Sequence, residues 1–449
     1  MATMIKNGIK NNWGKMIVAS IGAFGANYGF NRYRMWQLRA RLGEEALKYG
    51  DTPVPFFEKP ERVVVLVDIR SGNQNGREIY KKDVEPLLLL AGNEILLIES
   101  KERGMTKDIS QDVDFSNSKA IVVVGDDGTH QEFVTGFMRR QDVDTLRTSV
   151  PVAFVATGQH NAFVSALLYP NGGERLAEVR ERCEATMAVL RGKTKWVDLV
   201  SVTSGTGRSV HCLSGLVYGA PAALISDTFN QDSGLSIRMA KWRQLKEAIL
   251  AGNQMPKYSA VVKYTPTAAT AEVTEEINFG QLFVSSTPSI YGMRVAKDSE
   301  LSVTDGQLKV SWTAPSSLSA LYHLWNAMVG AKKDEDTTMV ASFIENGGLA
   351  EDTREITGLS EIYIKPLDSM TVTHEEPIEV AEDKEATKSE SGDAEATETE
   401  PPSVEAKIPT TRTVSKEVLT VPMLVDGEVF EPFDVTVKVL PKHLLICAV

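Results

Sequence analysis

The chain has 449 residues, of which 42% are hydrophobic, and this content is enough to bury more than one core, so two folded domains are expected. The formal net charge of −12 is concentrated in one stretch, because the residues from His374 to Glu405 contain 12 acids and two lysines. The rest of the chain is close to neutral, which argues against a nucleic-acid partner.

The three cysteines are few, odd in number and without the spacing of a metal site. Cys183, Cys212 and Cys447 are therefore predicted to be unpaired, and no zinc site is indicated.

Residues 1–43 form a basic and apolar leader. They contain seven Lys and Arg residues and no acid, and the basic residues flank the apolar stretch from Met16 to Phe30. Acid-free basic flanks are typical of a mitochondrial targeting segment or of an uncleaved membrane anchor, and the sequence is consistent with both interpretations. The apolar run is short for a span, which needs about 17–25 residues, so an amphipathic or unstructured leader is a third possibility.

Apolar strands alternate with helical patterns in the region from residue 60 to residue 200. The expected strands are Arg62–Asp68, Glu94–Glu99, Ala120–Val124 and Val152–Val155, and the helical patterns include Glu78–Ala91 and Gln131–Arg140. This alternation predicts an α/β domain with a mainly parallel sheet and helices on its faces.

The segment from Ala120 to Glu132 is the most informative stretch of this domain. A run of β-branched residues is followed by two glycines and two carboxylates, from Gly125 to Gly128, and then by Thr129, which is able to cap a helix. Glycines let backbone N–H groups approach a polyphosphate, and an acid beside them can hold its Mg²⁺. A tight turn without a ligand is the alternative for such a cluster. His130 within this segment, and His160 further on, are predicted to be polar loop residues.

Residues 201–449 are rich in strands, which predicts a second domain built as an antiparallel β-sandwich. The expected strands are Ser259–Tyr264, Gln281–Val284, Gln307–Trp312, Met339–Ile344, Ile362–Ile364, Glu417–Val421 and Phe433–Val439. Residues 373–410 interrupt this pattern with acids and small polar residues and almost no large apolar ones, so we predict a disordered insertion in a surface loop.

Five blocks of the chain share the order of one known family. They contain Ser71 and Gly72 after the first strand, the turn Gly125–Glu132, Gly158 with Asn161 after the fourth strand, Asp198 in Trp196–Val200, and Asp426 with Glu428 near the end. In this order they resemble the catalytic region of the diacylglycerol kinase family, which includes the sphingosine, ceramide and acylglycerol kinases. The mitochondrial acylglycerol kinases look most similar.

The resemblance implies an α/β nucleotide-binding domain followed by a β-sandwich, with ATP and Mg²⁺ bound in the cleft between them. It implies that Asp127 and Asp198 serve the metal, that Asp426 accepts the proton of the acceptor hydroxyl, and that Asp127 takes part in catalysis. The residues that it assigns to nucleotide binding are Ser71, Gly72, Gly125, Asp127, Gly128, Thr129, Glu132, Gly158, Asn161 and Glu428.

The chain departs from the family pattern at several positions. Asp68 and Ile69 replace Asn-Pro, Asp126 replaces the second glycine of the turn, and Gln159 and Ala162 replace residues of the third block. Asp126 is expected to repel phosphate unless it points away or meets Mg²⁺. On the residues alone, Asp198 capping a strand and Asp426 turning a hairpin remain alternatives.

The function implied by the resemblance is transfer of the ATP γ-phosphate to the hydroxyl of monoacylglycerol or diacylglycerol. The implied location is the mitochondrial inner membrane, facing the intermembrane space, with the acyl chain in an apolar pocket of the second domain. The first alternative is a catalytically weak or inactive subunit of an inner-membrane protein-import complex. A soluble NAD kinase, which shares the Gly-Gly-Asp type of turn, is the second.

Overall fold

The structure is a computed structural model. It describes residues 26, 28–51, 60–158, 161–168, 178–219, 222, 258–266, 271–290, 293–294, 301–313, 353–367, 423–426, 428–430 and 433–448.

Four parallel strands form the first part of a large sheet, in the order β2-β1-β3-β4. Their bounds are β1 Arg62–Asp68, β2 Glu94–Ser100, β3 Ser118–Gly125 and β4 Val152–Ala156. The inner strands are nearly continuous apolar runs because both faces of a parallel sheet are covered by helices. The parallel α/β prediction is confirmed.

Helices cover both faces of these strands and bury two apolar clusters. They are α1 at residues 28–50, α2 Ser71–Gln74, α3 Gly76–Ile79, a π-helical turn at Tyr80–Val84, α4 Glu85–Leu90, α5 Met105–Asp112, α6 Asp127–Met138, α7 Val143–Ser149, α8 Ala162–Leu168 and α9 Glu178–Arg191. Helix α1 contributes Leu42 and Ala46 to one cluster, so residues at the end of the leader and just beyond it pack on the folded body.

The same sheet continues into the second half of the chain through its last strand, β18 Val435–Cys447. Ile446 pairs with Val152 of β4 in parallel, whereas the rest of β18 pairs antiparallel with β5 and β15. The remaining strands of this sheet are β5 Thr194–Ser204, β6 Ser209–Cys212, β8 Tyr258–Tyr264, β9 Val273–Phe279 and β15 Glu361–Leu367. One C-terminal strand therefore joins the parallel and antiparallel parts.

A second, wholly antiparallel sheet packs against the antiparallel part of the first. Its order is β14-β13-β10-β7-β16-β17, with β7 Gly215–Gly219, β10 Gln281–Ser285, β13 Leu308–Thr313, β14 Thr353–Leu359, β16 Met423–Val425 and β17 Glu428–Phe430. A short hairpin of β11 Ser289–Ile290 and β12 Met293–Arg294 stands apart. The inner faces of the two sheets share one apolar core, which confirms the predicted β-sandwich.

Several predictions fall outside the described residues: the strands at Met339–Ile344 and Glu417–Val421, the acidic insertion at 373–410, and most of the leader. Within the described part of the chain, no helix is both long and apolar enough to cross a membrane. The three cysteines are buried and free, as predicted.

Candidate active site

Three loops meet where β1, β3 and β4 end. The Thr157 N–H, just past β4, donates to the Gly125 carbonyl at 2.8 Å, and the Thr157 hydroxyl donates to Ser71 Oγ at 2.9 Å. Gly72 has a φ of +64°, and a Cβ at this position would lie 2.5 Å from the Thr157 carbonyl oxygen. The close approach of the first and third loops thus requires glycine at position 72.

Asp126 is the N-cap of helix α6. Its Oδ1 accepts hydrogen bonds from the Thr129 N–H and the Thr129 hydroxyl, both at 3.0 Å. This bond occupies an orphan amide of the first helical turn, which is the ordinary role of aspartate at an N-cap. The replacement of a family glycine by Asp126 therefore has a local structural reason.

Asp68 completes the same network from the first loop. Its Oδ2 lies 2.8 Å from the Thr129 hydroxyl, and its Oδ1 accepts the Arg70 N–H at 2.9 Å. Burial raises the pKa of Asp68, and the nearby charge of Asp126 raises it further. Asp68, where the family has asparagine, thus joins the first loop to the glycine turn.

Asp127 is the first residue of α6 and is 8% exposed. Its Oδ2 accepts the Ala162 N–H at 3.0 Å, whereas its Oδ1 is buried without a hydrogen-bond partner in the described part of the chain. Ala162, which departs from the family pattern, contributes its backbone here. A buried carboxylate oxygen that lacks a donor is costly, so this atom is suited to a cation.

Asp426 follows β16 in a tight hairpin and has a φ of +41°. Its Oδ2 accepts the N–H groups of Leu213 at 2.6 Å and Ser214 at 2.9 Å, and its Oδ1 accepts that of Gly215 at 3.1 Å. The side chain is 2% exposed. Asp426 thus occupies the hairpin position that one alternative assigned to it, and its carboxylate is also buried in the protein interior.

The structure brings Asp127 and Asp426 together although they are far apart along the chain. Burial raises the pKa of Asp127 well above its usual value, and the charge of Asp426 raises it further. Burial likewise raises the pKa of Asp426, to about 6, against the opposing effect of the three amide donors. Burial and the Asp426 charge both disfavour the ionised form of Asp127, and a bound metal ion would relieve this cost.

Glu132 and Glu428 line the same region. Glu132 Oε1 accepts the Gly104 N–H at 2.8 Å, and burial raises the pKa of Glu132, with added contributions from the charges of Asp68 and Glu428. Glu428 forms an ion pair of 2.6 Å with Arg208. Both residues predicted to bind the nucleotide thus already hold partners from the protein.

The third block is only partly described, because Gln159 and His160 lie outside the described residues. The Asn161 side-chain amide donates to the Gly158 carbonyl at 2.8 Å. Asn161 Oδ1 is buried and has no hydrogen-bond partner among the described residues. His130 was predicted to be a polar loop residue, and this was wrong: it lies within α6, fully buried, with its ring 4.9 Å from that of Phe154. Burial lowers the pKa of His130 to about 4.

Asp198 is held by a different set of groups. Its Oδ2 accepts the Gly306 N–H at 2.6 Å and its Oδ1 the Lys442 N–H at 2.7 Å. The two oxygens thus bind the backbone of one turn next to β13 and of one turn within β18. Burial raises the pKa of Asp305, and the charge of Asp198 raises it further. These contacts favour the structural alternative for Asp198 over a metal shared with Asp127.

The described residues contain no group of three His, Cys, Asp or Glu side chains that could hold a metal by themselves. Mg²⁺ usually combines one or two carboxylates with substrate phosphates. The free oxygen of Asp127 fits that pattern.

Sequence reasoning missed the backbone partners of the site. The two aspartates are oriented by backbone amides, which belong to Leu213, Ser214, Gly215 and Ala162. No side-chain pattern in the sequence predicts these contacts. The left-handed backbone that Asp426 requires is the one available signal, since Asp-Gly pairs favour such turns.

Comparisons with known proteins show what the chain is similar to. Residues 62–202, from β1 nearly to the end of β5, match the family described as diacylglycerol kinase catalytic domain. Mitochondrial acylglycerol kinase of Xenopus laevis is 27% identical over 213 residues, which are 47% of this chain and 48% of that protein. Sphingosine kinase 1 of Arabidopsis thaliana is 30% identical over 148 residues, 33% of this chain and 29% of its own.

The chain thus spans about half the length of the acylglycerol kinase that it matches. A crystal structure of a diacylglycerol kinase from Bacillus anthracis str. Sterne superposes with a TM-score of 0.47 at 15% identity, covering 87% of this chain and 98% of that one. The family resemblance read from the sequence is confirmed by the matching domain.

Proposed function

We propose that the protein is an ATP-dependent lipid kinase that phosphorylates the hydroxyl of monoacylglycerol or diacylglycerol, because residues 62–202 match the diacylglycerol kinase catalytic domain family. The products are lysophosphatidic and phosphatidic acid. The observation that carries the proposal is the buried pair Asp127 and Asp426 beside the three loops, where Asp127 keeps one oxygen without a hydrogen-bond partner in the described part of the chain.

In the proposed reaction, backbone N–H groups of the glycine turn and the helix α6 N-terminus position the ATP phosphates. Asp127 would hold Mg²⁺, which would supply neutralisation of the charge on the transferred phosphoryl group. Asp426 accepts the proton of the acceptor hydroxyl, and its raised pKa of about 6 keeps it ionised yet basic near neutral pH. The amides of Leu213, Ser214 and Gly215 fix its direction.

We propose the acceptor from the matched relative of Xenopus laevis, which is named as an acylglycerol kinase. A neutral acceptor is further supported by the acidic side chains gathered in this region, which would repel further negative charge; they are Asp68, Asp127, Glu132 and Asp426. Neutral acylglycerol fits this field better than an anionic phospholipid.

The proposed location is the mitochondrial inner membrane, facing the intermembrane space. It is supported by the basic, acid-free leader and by the mitochondrial relatives.

The direct test is incubation of the full-length protein with Mg-ATP labelled in the γ-phosphate and with acylglycerol in mixed micelles, beside its Asp127→Asn variant. We expect lipid phosphorylation by the wild type and a loss of about 10²–10⁴-fold in the variant, as is typical when a group that assists transfer is removed. Equal, background-level incorporation by both proteins would discard the lipid kinase.

Sphingosine and NAD⁺ are parallel acceptors in this assay. Preferred phosphorylation of either one would replace the acylglycerol assignment. If no acceptor is phosphorylated but the protein remains in a stable mitochondrial complex, the import-subunit alternative would be supported.

A further inference from the structure

A half-buried arginine on helix α9 contacts the point where the three candidate phosphate loops meet. Arg182 donates from Nε to the carbonyl of Ala156, the last residue of β4, at 3.1 Å. The next residue, Thr157, bonds to Gly125 and to Ser71, one in each of the other two loops. Arg182 therefore fixes the strand end from which these contacts start.

Arg182 is itself held by a buried carboxylate. Asp83 is 1% exposed, and its Oδ2 lies 3.6 Å from Arg182 Nη1. Asp83 lies in the π-helical turn Tyr80–Val84, which inserts an extra residue between α3 and α4. Such turns are frequent at functional sites because they redirect one side chain out of helical register.

The other oxygen of Asp83 faces helix α1. Asp83 Oδ1 accepts from Arg39 Nε at 2.7 Å and lies 2.6 Å from Arg39 Nη2. Arg39 belongs to the basic leader, so the chain of contacts runs from Arg39 through Asp83 to Arg182 and then to the end of β4. Removing either arginine leaves the buried Asp83 carboxylate with one partner fewer.

We propose that Arg182 is a positioning residue for the phosphate-binding loops, and that Asp83 and Arg39 connect it to the N-terminal helix. A change in the position of helix α1 is thereby coupled to nucleotide affinity. The inference rests on the proposed function, because it concerns the same nucleotide site.

The chain offers a matched control on the same two helices. Arg191 of α9 also pairs with helix α1, through Glu45 Oε1 at 2.9 and 3.1 Å, and with Glu184 of its own helix at 2.8 Å. It lies at the opposite end of α9 from the β4 loop. Loss of Arg191 therefore removes an α1–α9 ion pair that lies outside the Arg39–Asp83–Arg182 contacts and does not reach the phosphate loops.

The test compares Arg182→Met and Asp83→Asn with Arg191→Met and Glu45→Gln in the full chain, at a temperature where all four are folded. Calorimetric titration with Mg-ATP is expected to show affinity weakened about 5- to 10-fold in the first pair and within about twofold of wild type in the second. If Arg182→Met does not fold, Arg182→Lys replaces it, because lysine can keep the ion pair but cannot also donate from Nε to Ala156.

Hydrogen exchange at the Thr157 amide gives a readout that does not need the nucleotide. It is expected to be faster in the Arg182 and Asp83 variants and unchanged in the Arg191 and Glu45 variants. Equal effects in both pairs, or none at Arg182, overturn the positioning role. A wild type that shows normal exchange protection but no Mg-ATP binding overturns the proposed function instead.

Discussion

At the scale of single residues, the site is defined by how two carboxylates are satisfied. Asp426 accepts three backbone amides, whereas Asp127 accepts one and keeps a buried oxygen without a partner in the described chain. The protein therefore orients one acid fully and leaves the other available to a ligand. A buried oxygen without a hydrogen-bond donor costs folding free energy, and such an atom is retained where it serves function.

Asp127→Asn is expected to stabilise the fold while it lowers activity. The variant removes a buried charge that repels Asp426, and we expect a gain of about 1–2 kcal/mol in the free energy of unfolding near pH 8. Because the folded state raises the pKa of Asp127, wild-type stability from this group is present at low pH and lost as pH rises, so the gain shrinks on acidification. Urea unfolding at several pH values measures it; a variant less stable than wild type near pH 8 would contradict the expectation.

The pH dependence of kcat/KM is expected to report Asp426. A base must be ionised, so the rate should rise with pH through an apparent pKa of about 6 and level off above it. The measured value belongs to the coupled pair with Asp127 rather than to one residue. Initial rates at saturating Mg-ATP and varied lipid provide the profile. A flat profile through this range would remove Asp426 from the role of base.

At the scale of elements, the carboxyl ends of β1, β3 and β4 place three loops side by side, as expected for a parallel sheet. The glycine turn then opens helix α6 with Asp126 as its cap. One short segment thus combines helix initiation with the approach to phosphate.

Two substitutions at Asp126 separate the cap from the charge. Asp126→Ala is expected to lower the free energy of unfolding by about 0.5–2 kcal/mol, because the Thr129 amide loses its acceptor. Asp126→Asn keeps a capping oxygen, so its stability should stay near that of wild type. Since it removes a negative charge next to the phosphates, its Mg-ATP affinity should increase about threefold. Chemical denaturation and calorimetric titration measure the two quantities; weaker nucleotide binding by Asp126→Asn would show that the Asp126 charge itself meets the cation.

At the scale of the whole molecule, strand β18 joins the two halves. It pairs with β4 of the parallel part and with β5 and β15 of the sandwich, so both cores depend on the C-terminal residues. The same connection fixes the geometry between the domains that carry Asp127 and Asp426.

The described halves are therefore expected to unfold as one unit. Far-UV circular dichroism and tryptophan fluorescence should give coincident denaturant transitions in the wild type. Ile446→Ala, at a fully buried position of β18 that pairs with both β4 and β5, should destabilise by about 2–5 kcal/mol and shift both transitions together. Two separated transitions, or a shift in only one signal, would show that the halves are independent.

Most of the fold was readable from the sequence. Strands such as Arg62–Asp68 and Ala120–Val124 were predicted within two residues, because continuous Val and Ile runs are decisive for buried parallel strands. Helix α6 was predicted from its periodic pattern, but its start was placed at Gln131 instead of Asp127. The reason is that its first residues belong to the glycine turn, whose composition does not indicate a helix. The π-helical turn at Tyr80–Val84 had no sequence signal.

The sequence by itself determined the parallel core, the sandwich and the Gly125–Thr129 turn, since these follow from local hydrophobic pattern and turn chemistry. Only the tertiary structure decided that Asp426 lies with Asp127 while Asp198 holds the Gly306 and Lys442 turns. The physical reason is that a carboxylate's role depends on which backbone N–H groups face it. Those groups are identical in every residue except proline, so only folding distinguishes them.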